Sequence, residues 1–155
     1  MTIAKVTRPF VPHELGNERR QSAITAIEAL LDINIMDAHK KRLIDRCIWY
    51  YTEADGKYNL RYRSEAALLV PNVRGQVQHE HVFERKELIQ RLLVDGESVV
   101  SVCKDAVACL VTPEEHRQLG RVKDQSGWNR YQSAEIKVYD MSQDTYLALE
   151  MSRSG

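Results

Sequence analysis

Apolar residues recur at helical spacing twice in the first third of the chain. In ERRQSAITAIEALLDINI, Ile24, Ile27, Leu31 and Ile35 fall three or four positions apart, the repeat that gathers side chains on one face of a helix. Asn17 is a capping type at its start. A second amphipathic stretch, HKKRLIDRCIWYYTEA, begins near Asp37, puts Leu43, Ile44, Cys47, Ile48 and Tyr51 on one face, and stops at Asp55-Gly56. The short joint between the two predicts an antiparallel helical hairpin. Residues 1–16, with Pro9, Pro12 and Gly16, read as a flexible or extended arm.

Beyond Gly56 the period changes. Tyr58, Leu60 and Tyr62 alternate like a strand, whereas residues 64–69 are helix-like, so this segment stays open. Residues 76–82 have strand character, and residues 84–94 read as a helix with Leu88, Ile89, Leu92 and Leu93 on its buried side. Residues 97–104 fit a short helix or a strand. Residues 106–111 make the better strand. At its exit Thr112, Pro113 and Glu115 spell a capping box with proline at the first helical position, which predicts a helix over 113–119 closing at Gly120. A helical turn over 128–134 and a strand over 135–140 follow. The expected fold is α+β, a helix-rich single domain over 17–150 with a frayed tail at 151–155.

Composition narrows the function classes. Of the 155 residues, 43% are hydrophobic and 28% charged, enough for a core without disulfide or metal staples. The apolar stretches at 66–70 and 106–111 fall far short of the roughly 20 residues that cross a bilayer. With no signal-like apolar region and an odd three cysteines (Cys47, Cys103, Cys109), the expectation is a cytoplasmic protein with reduced thiols. The 22 basic residues balance the 22 acidic ones. A nucleic-acid contact must then be local, since coating proteins carry a basic surplus.

The histidines carry the chemical signal. His79-Glu80-His81 ends one predicted strand, and His116 lies in the first turns of the capped helix. EHVFERK resembles the Glu-His opening of the ββα-metal nuclease core (HNH, or His-Me finger), and ACLVTPEEHRQL resembles its closing strand and His-bearing helix, over residues 76–119. The resemblance implies a small ββα element that hydrolyses phosphodiesters in DNA. His81 would be the general base, Glu80 and His116 would hold one divalent ion (Mg²⁺, Mn²⁺ or Zn²⁺), and Arg63 or Arg85 would clamp the phosphate. Ala106, Val107 and Ala108 stand where that family carries the Asn that orients its base histidine. On an extended strand Glu80 and His81 face opposite sides, so a shared metal requires the strand to bend or end there.

Other arrangements compete for the same residues. His79 and His81 share a strand face, and with His116 they would complete a three-histidine zinc site. Glu84 and Lys86 spell the E-x-K tail of another nuclease pattern, explained more simply as a helix-surface charge pair. KYNLRYRSE interleaves Tyr58 and Tyr62 with Lys57, Arg61 and Arg63. That suits phosphate gripping and base stacking, but equally a half-buried strand, and neutral net charge favours the latter. Trp128, Arg130 and Tyr131 suit an interface patch or the sealing of a core edge. Trp49-Tyr50-Tyr51 must turn one ring outward. No nucleophile elbow or glycine-rich phosphate loop occurs. Two functions therefore stand: a metal-dependent endonuclease of HNH type, or a degenerate relative that only binds nucleic acid, with Arg61, Arg63, Arg85 and Lys86 as phosphate contacts; and a non-catalytic protein-binding factor, phage or bacterial defence-related, with structural histidines.

Overall fold

The computed structural model describes residues 6–148. The expected tail at 151–155 and the first five residues of the arm lie outside that range. The fold is mixed α+β, with N-terminal helices and a small mixed sheet. It forms two compact units, each discontinuous in sequence: 12–57 with 83–107, and 6–11 with 58–82 and 108–148. Among the described residues no helix is long and apolar enough to cross a membrane.

The helical unit holds α1 (Gly16–Asp32), α2 (Asp37–Thr52), α3 (Arg85–Leu93) and α4 (Val99–Cys103). The 3.6-residue pattern accounts for its core, except that Leu43 is exposed and Ile35 lies beyond the end of α1. Ile27, Ile44, Ile48, Leu88, Leu92 and Val102 are almost fully buried together, with Ile24, Leu31 and Tyr51 packed at the edge. Each such side chain contributes about 2 kcal/mol of burial. Helix α1 begins two residues earlier than Asn17 as N-cap predicts, at Gly16, which sits against Asp55, whose carboxylate a Cβ would strike. That carboxylate accepts from Arg20 Nη1 at 2.9 Å and from the His13 amide at 2.9 Å. The ambiguous residues 97–104 are helical from Val99, where Ser98 accepts the Ser101 amide and Val99, Val102 and Cys103 turn inward.

The second unit is built on a sheet of order β2-β3-β1-β4-β5, comprising β1 (Tyr62–Ser64), β2 (Gln78–His81), β3 (Ala108–Val111), β4 (Val138–Asp140) and β5 (Thr145–Tyr146). Among the named strands only β1 and β3 run parallel; β2 pairs antiparallel with β3 in the register Glu80 to Cys109. Strand β3 is buried along its whole length, as its continuous apolar run requires. Helix α5 (Pro113–Gly120) leaves β3 directly, and α6 (Trp128–Ser133) follows after a loop. The open stretch 58–69 divides into β1 and a 3₁₀ turn at Ala66–Leu69.

The arm is bound to this unit. The Val6 and Thr7 amides donate to Leu68 O, and Val11 exchanges hydrogen bonds with the Asn59 side chain. Arg63, fully buried, donates Nε to Leu60 O at 2.9 Å, and its Nη1 reaches Thr7 Oγ1 at 2.6 Å and Arg8 O. Burial lowers this guanidinium to about 10, which still leaves it charged at neutral pH.

Two outcomes follow. Thr112→Ala removes the capping hydroxyl of α5 and should cost about 1 kcal/mol in urea unfolding; an unchanged midpoint would contradict the cap's role. Asp140, paired bidentately with Arg61 at 2.9 and 2.8 Å, is held by that pair at about 2, below its usual 3.8. Its folded value lies below its unfolded one, so its contribution is present above about pH 4 and is lost as pH falls towards about 2. With Arg61 half exposed, that contribution is about 1 to 2 kcal/mol. Asp140→Asn should flatten this part of the acid-unfolding curve, and an identical curve would remove the assignment.

Candidate functional site

Alternation along β2 divides its side chains between two faces. His79 and His81 are buried, while Gln78 and Glu80 are only partly so. The strand does not bend at its end: pairing with β3 continues through His81 opposite Ala108. His79 and His81 therefore lie against each other, ring centroids 5.1 Å apart and planes tilted by 55°. Glu80 turns the other way, towards α5 and α6. The condition for Glu80 and His81 to share one ion is not met in this arrangement.

What α5 brings to Glu80 is His116. The capping box sets its place: Glu115 Oε1 accepts the Thr112 amide at 2.9 Å, and Thr112 Oγ1 accepts the Glu115 amide at 3.3 Å. The same Glu115 oxygen takes the Ser64 hydroxyl at 2.5 Å, tying the first turn of α5 to β1. One residue on, His116 Nδ1 makes a short hydrogen bond to Glu80 Oε2. With Glu80 ionised, Nδ1 carries the proton. The His116 side chain is 49% exposed and that of Glu80 12%, so the pair opens to solvent on the imidazole side.

From the other flank comes Arg130, a residue for which the sequence suggested only an interface patch or a core edge. Gly127 precedes α6 at φ +61° and ψ −145°, a conformation essentially reserved for glycine. It starts the helix so that Arg130 enters the interior. The guanidinium is 2% exposed. Its Nη2 donates to His81 O at 2.7 Å and Val82 O at 2.8 Å, and lies 3.5 Å from Glu80 Oε1. Nε has no hydrogen-bond partner among the described residues. Trp128 packs edge-on against Tyr62 at 5.2 Å and lies 5.1 Å from the Tyr131 ring, so the GWNRY segment seals the sheet. The only sequence signal for this was the glycine before the tryptophan.

Three of the four expected phosphate contacts are engaged elsewhere. Arg61 is paired with Asp140 and lies over Tyr62, its carbon 4.9 Å from the ring centre. Arg63 is the buried anchor of the arm, with no face open to a phosphate. In the helical unit Arg85 binds Asp45 at 2.6 and 2.7 Å and covers Trp49 at 5.0 Å. Lys86 beside it is exposed. Among the described residues no group of three or more His, Cys, Asp or Glu side chains is placed to hold a metal ion, so the three-histidine zinc grouping is not assembled. The cysteines offer no nucleophile: burial raises Cys47, lifts Cys103 to about 11 and drives Cys109 well above its usual value, which suppresses the thiolate.

Glu80 and His116 are nonetheless a chemically coherent pair. One carboxylate and one imidazole would offer an ion two ligand groups only where it replaced the proton that now joins them, since Nδ1 is bonded to the carboxylate. They do not suit a closed structural zinc site, which needs four. Searches of protein-family models, curated proteins and solved structures find no match to this chain.

The buried guanidinium gives a direct test. Arg130→Met keeps the side-chain length but strips two carbonyls of their donor, and should cost about 2 to 4 kcal/mol in urea unfolding. A loss below about 0.5 kcal/mol, the level of an ordinary surface change, would mean that these bonds do not hold the strand end.

Proposed function

We propose that the chain is a divalent-metal-dependent phosphodiesterase acting on nucleic acid, of the HNH type. The observation that carries this reading is the meeting of Glu80 and His116 across two antiparallel strands and the helix that follows them. In that element Glu80 and His116 would hold the ion. Bound there, it would polarise a phosphate and stabilise the departing oxygen. The chain's own part is positional. The capping box sets His116, Arg130 and the sheet set Glu80, and the exposed side of the imidazole leaves an approach for a polyanion. His81 retains the base role only if the end of β2 opens, because its ring lies with His79 on the buried side.

A second reading, a non-catalytic protein-binding factor, draws on the helical unit. Between α1 and α2 lies a groove of about 630 Å³, with Leu15, Ala23, Ala26, Cys47 and Tyr50 among its lining. Tyr50 is the outward ring of the Trp49-Tyr50-Tyr51 run, 57% exposed. In this reading Glu80, His116 and Arg130 serve only to fasten α5 and α6 to β2.

Supercoiled plasmid incubated with purified protein and Mg²⁺, Mn²⁺, Zn²⁺ or EDTA separates the two. The nuclease reading expects nicking that EDTA stops and that Glu80→Gln and His116→Ala each abolish with their circular dichroism unchanged. Cleavage persisting in His81→Ala would move the base role to another group. Absence of cleavage with every metal would sink the first reading in favour of the second.

A further inference from the structure

Three large apolar side chains face solvent at seven-residue intervals along α2 and its cap. Met36, Leu43 and Tyr50 are 66%, 47% and 57% exposed, at the spacing that keeps side chains on one helical face. Their stripe adjoins the groove between α1 and α2. Cys47, Tyr50 and Glu53 line that groove, and Leu43 stands four positions before Cys47 and seven before Tyr50, on the same side of the helix. From α1 the lining is mostly small, with Ser22, Ala23 and Ala26 beside Leu15. Contiguous exposed apolar surface of this kind marks an interaction site.

Charge separates along the same face. Residues 39–46, HKKRLIDR, carry Lys40, Lys41, Arg42 and Arg46 against the single acid Asp45, which Arg85 binds at 2.6 Å. The groove end is acidic. Glu18 and Glu53 line it, together with Arg19, whose Nη1 donates to Ala54 O at 3.1 Å. Neither Glu18, Glu53, Arg42 nor Arg46 forms an ion pair among the described residues. Helix α2 has Glu53 at its C-cap and no basic residue in its last turn, the reverse of what the helix dipole favours. The helix alone therefore gives no reason for this distribution. A face that is apolar along its middle, basic at one end and acidic at the other complements itself when a second copy is laid on it antiparallel.

We infer that the α1–α2 face is a homodimer interface, in which the Met36–Leu43–Tyr50 stripe of each copy seats in the groove of the other and Arg42 and Arg46 meet Glu18 and Glu53. The groove and the stripe share Tyr50, so they form one continuous patch. A single two-fold operation then fills both grooves at once, which is isologous closure and leaves no face to propagate. Two helical hairpins joined in this way make an ordinary antiparallel four-helix arrangement. Any foreign helix would have to supply an apolar stripe and a basic end, and the chain already carries both. The inference goes beyond both functional readings and requires neither.

Sedimentation equilibrium over a concentration series at low salt tests it, with circular dichroism verifying the fold of every variant. The wild type is expected to reach the mass of two chains. Leu43→Glu should raise the dissociation constant at least about tenfold, whereas Val94→Glu, which puts the same charge on another exposed apolar residue of the helical unit, should leave it unchanged. Charge reversal reads the proposed register. Glu18→Lys/Glu53→Lys and Arg42→Glu/Arg46→Glu should each weaken the dimer at least about tenfold alone. Mixed in equal amounts, the two should recover the mass of two chains, because opposite charges then face each other in both grooves. A wild type that stays monomeric throughout, equal effects of Leu43→Glu and Val94→Glu, or reversed variants that do not recover on mixing would each overturn the assignment.

Discussion

The arrangement around Glu80 depends on one buried cation. Arg130 has given up its hydration and is compensated by two backbone carbonyls at the end of β2 and a carboxylate at 3.5 Å. Removing a charge from water costs several kcal/mol unless geometry restores it, so the carbonyls of His81 and Val82 must stay where Nη2 can reach them. That fixes the last residues of β2. It also fixes which way Glu80 faces, because the strand cannot rotate without breaking both bonds. The orphaned Nε shows that the compensation is incomplete and that the position is held by the surrounding structure, with Gly127 and the Trp128–Tyr131 packing supplying that hold.

A second constraint acts on the opposite side of the same carboxylate. The capping box holds α5 by its first turn, and Glu115 serves at once as cap partner and as acceptor for Ser64 on β1. His116 is thus set by its neighbour's bonds before its own contact is counted. Two independent anchorages, one through α5 and one through α6, meet on Glu80. A group so determined is preorganised: it does not have to be gathered when a ligand arrives.

Local chemistry was legible in the sequence wherever it involved neighbours. Thr112, Pro113 and Glu115 give a helix start within three or four positions, and α5 begins there. Period-two alternation separates Glu80 from His81, and β2 keeps that separation to its end. Long-range chemistry was not legible. Arg61, Arg63 and Arg85 sit in patterns that suit phosphate contacts equally well, and their partners lie 79, 56 and 40 positions away. No window around an arginine reveals a partner that far off. Arg130 was hidden for the same reason. Its burial is decided by a tertiary contact with β2, while its local sequence reads as a polar helical turn. Residues 97–104 lay between these cases: one capping serine and three apolar positions at helical spacing were enough for α4, but too few to exclude a strand from periodicity alone.

The charge arithmetic links these observations. A chain of zero formal charge looks unsuited to a polyanion until its cations are sorted by engagement. Arg20, Arg61, Arg85 and Arg91 neutralise acids of the fold itself, and Arg63 and Arg130 are interior. What remains exposed in the stretch after Thr112 is mixed: Arg117, Arg121 and Lys123 stand among the acids Glu114 and Asp124. In the proposed reading a phosphate would depend on the divalent ion held at Glu80 and His116, each strengthening the other's binding by the linkage that any such coupling requires.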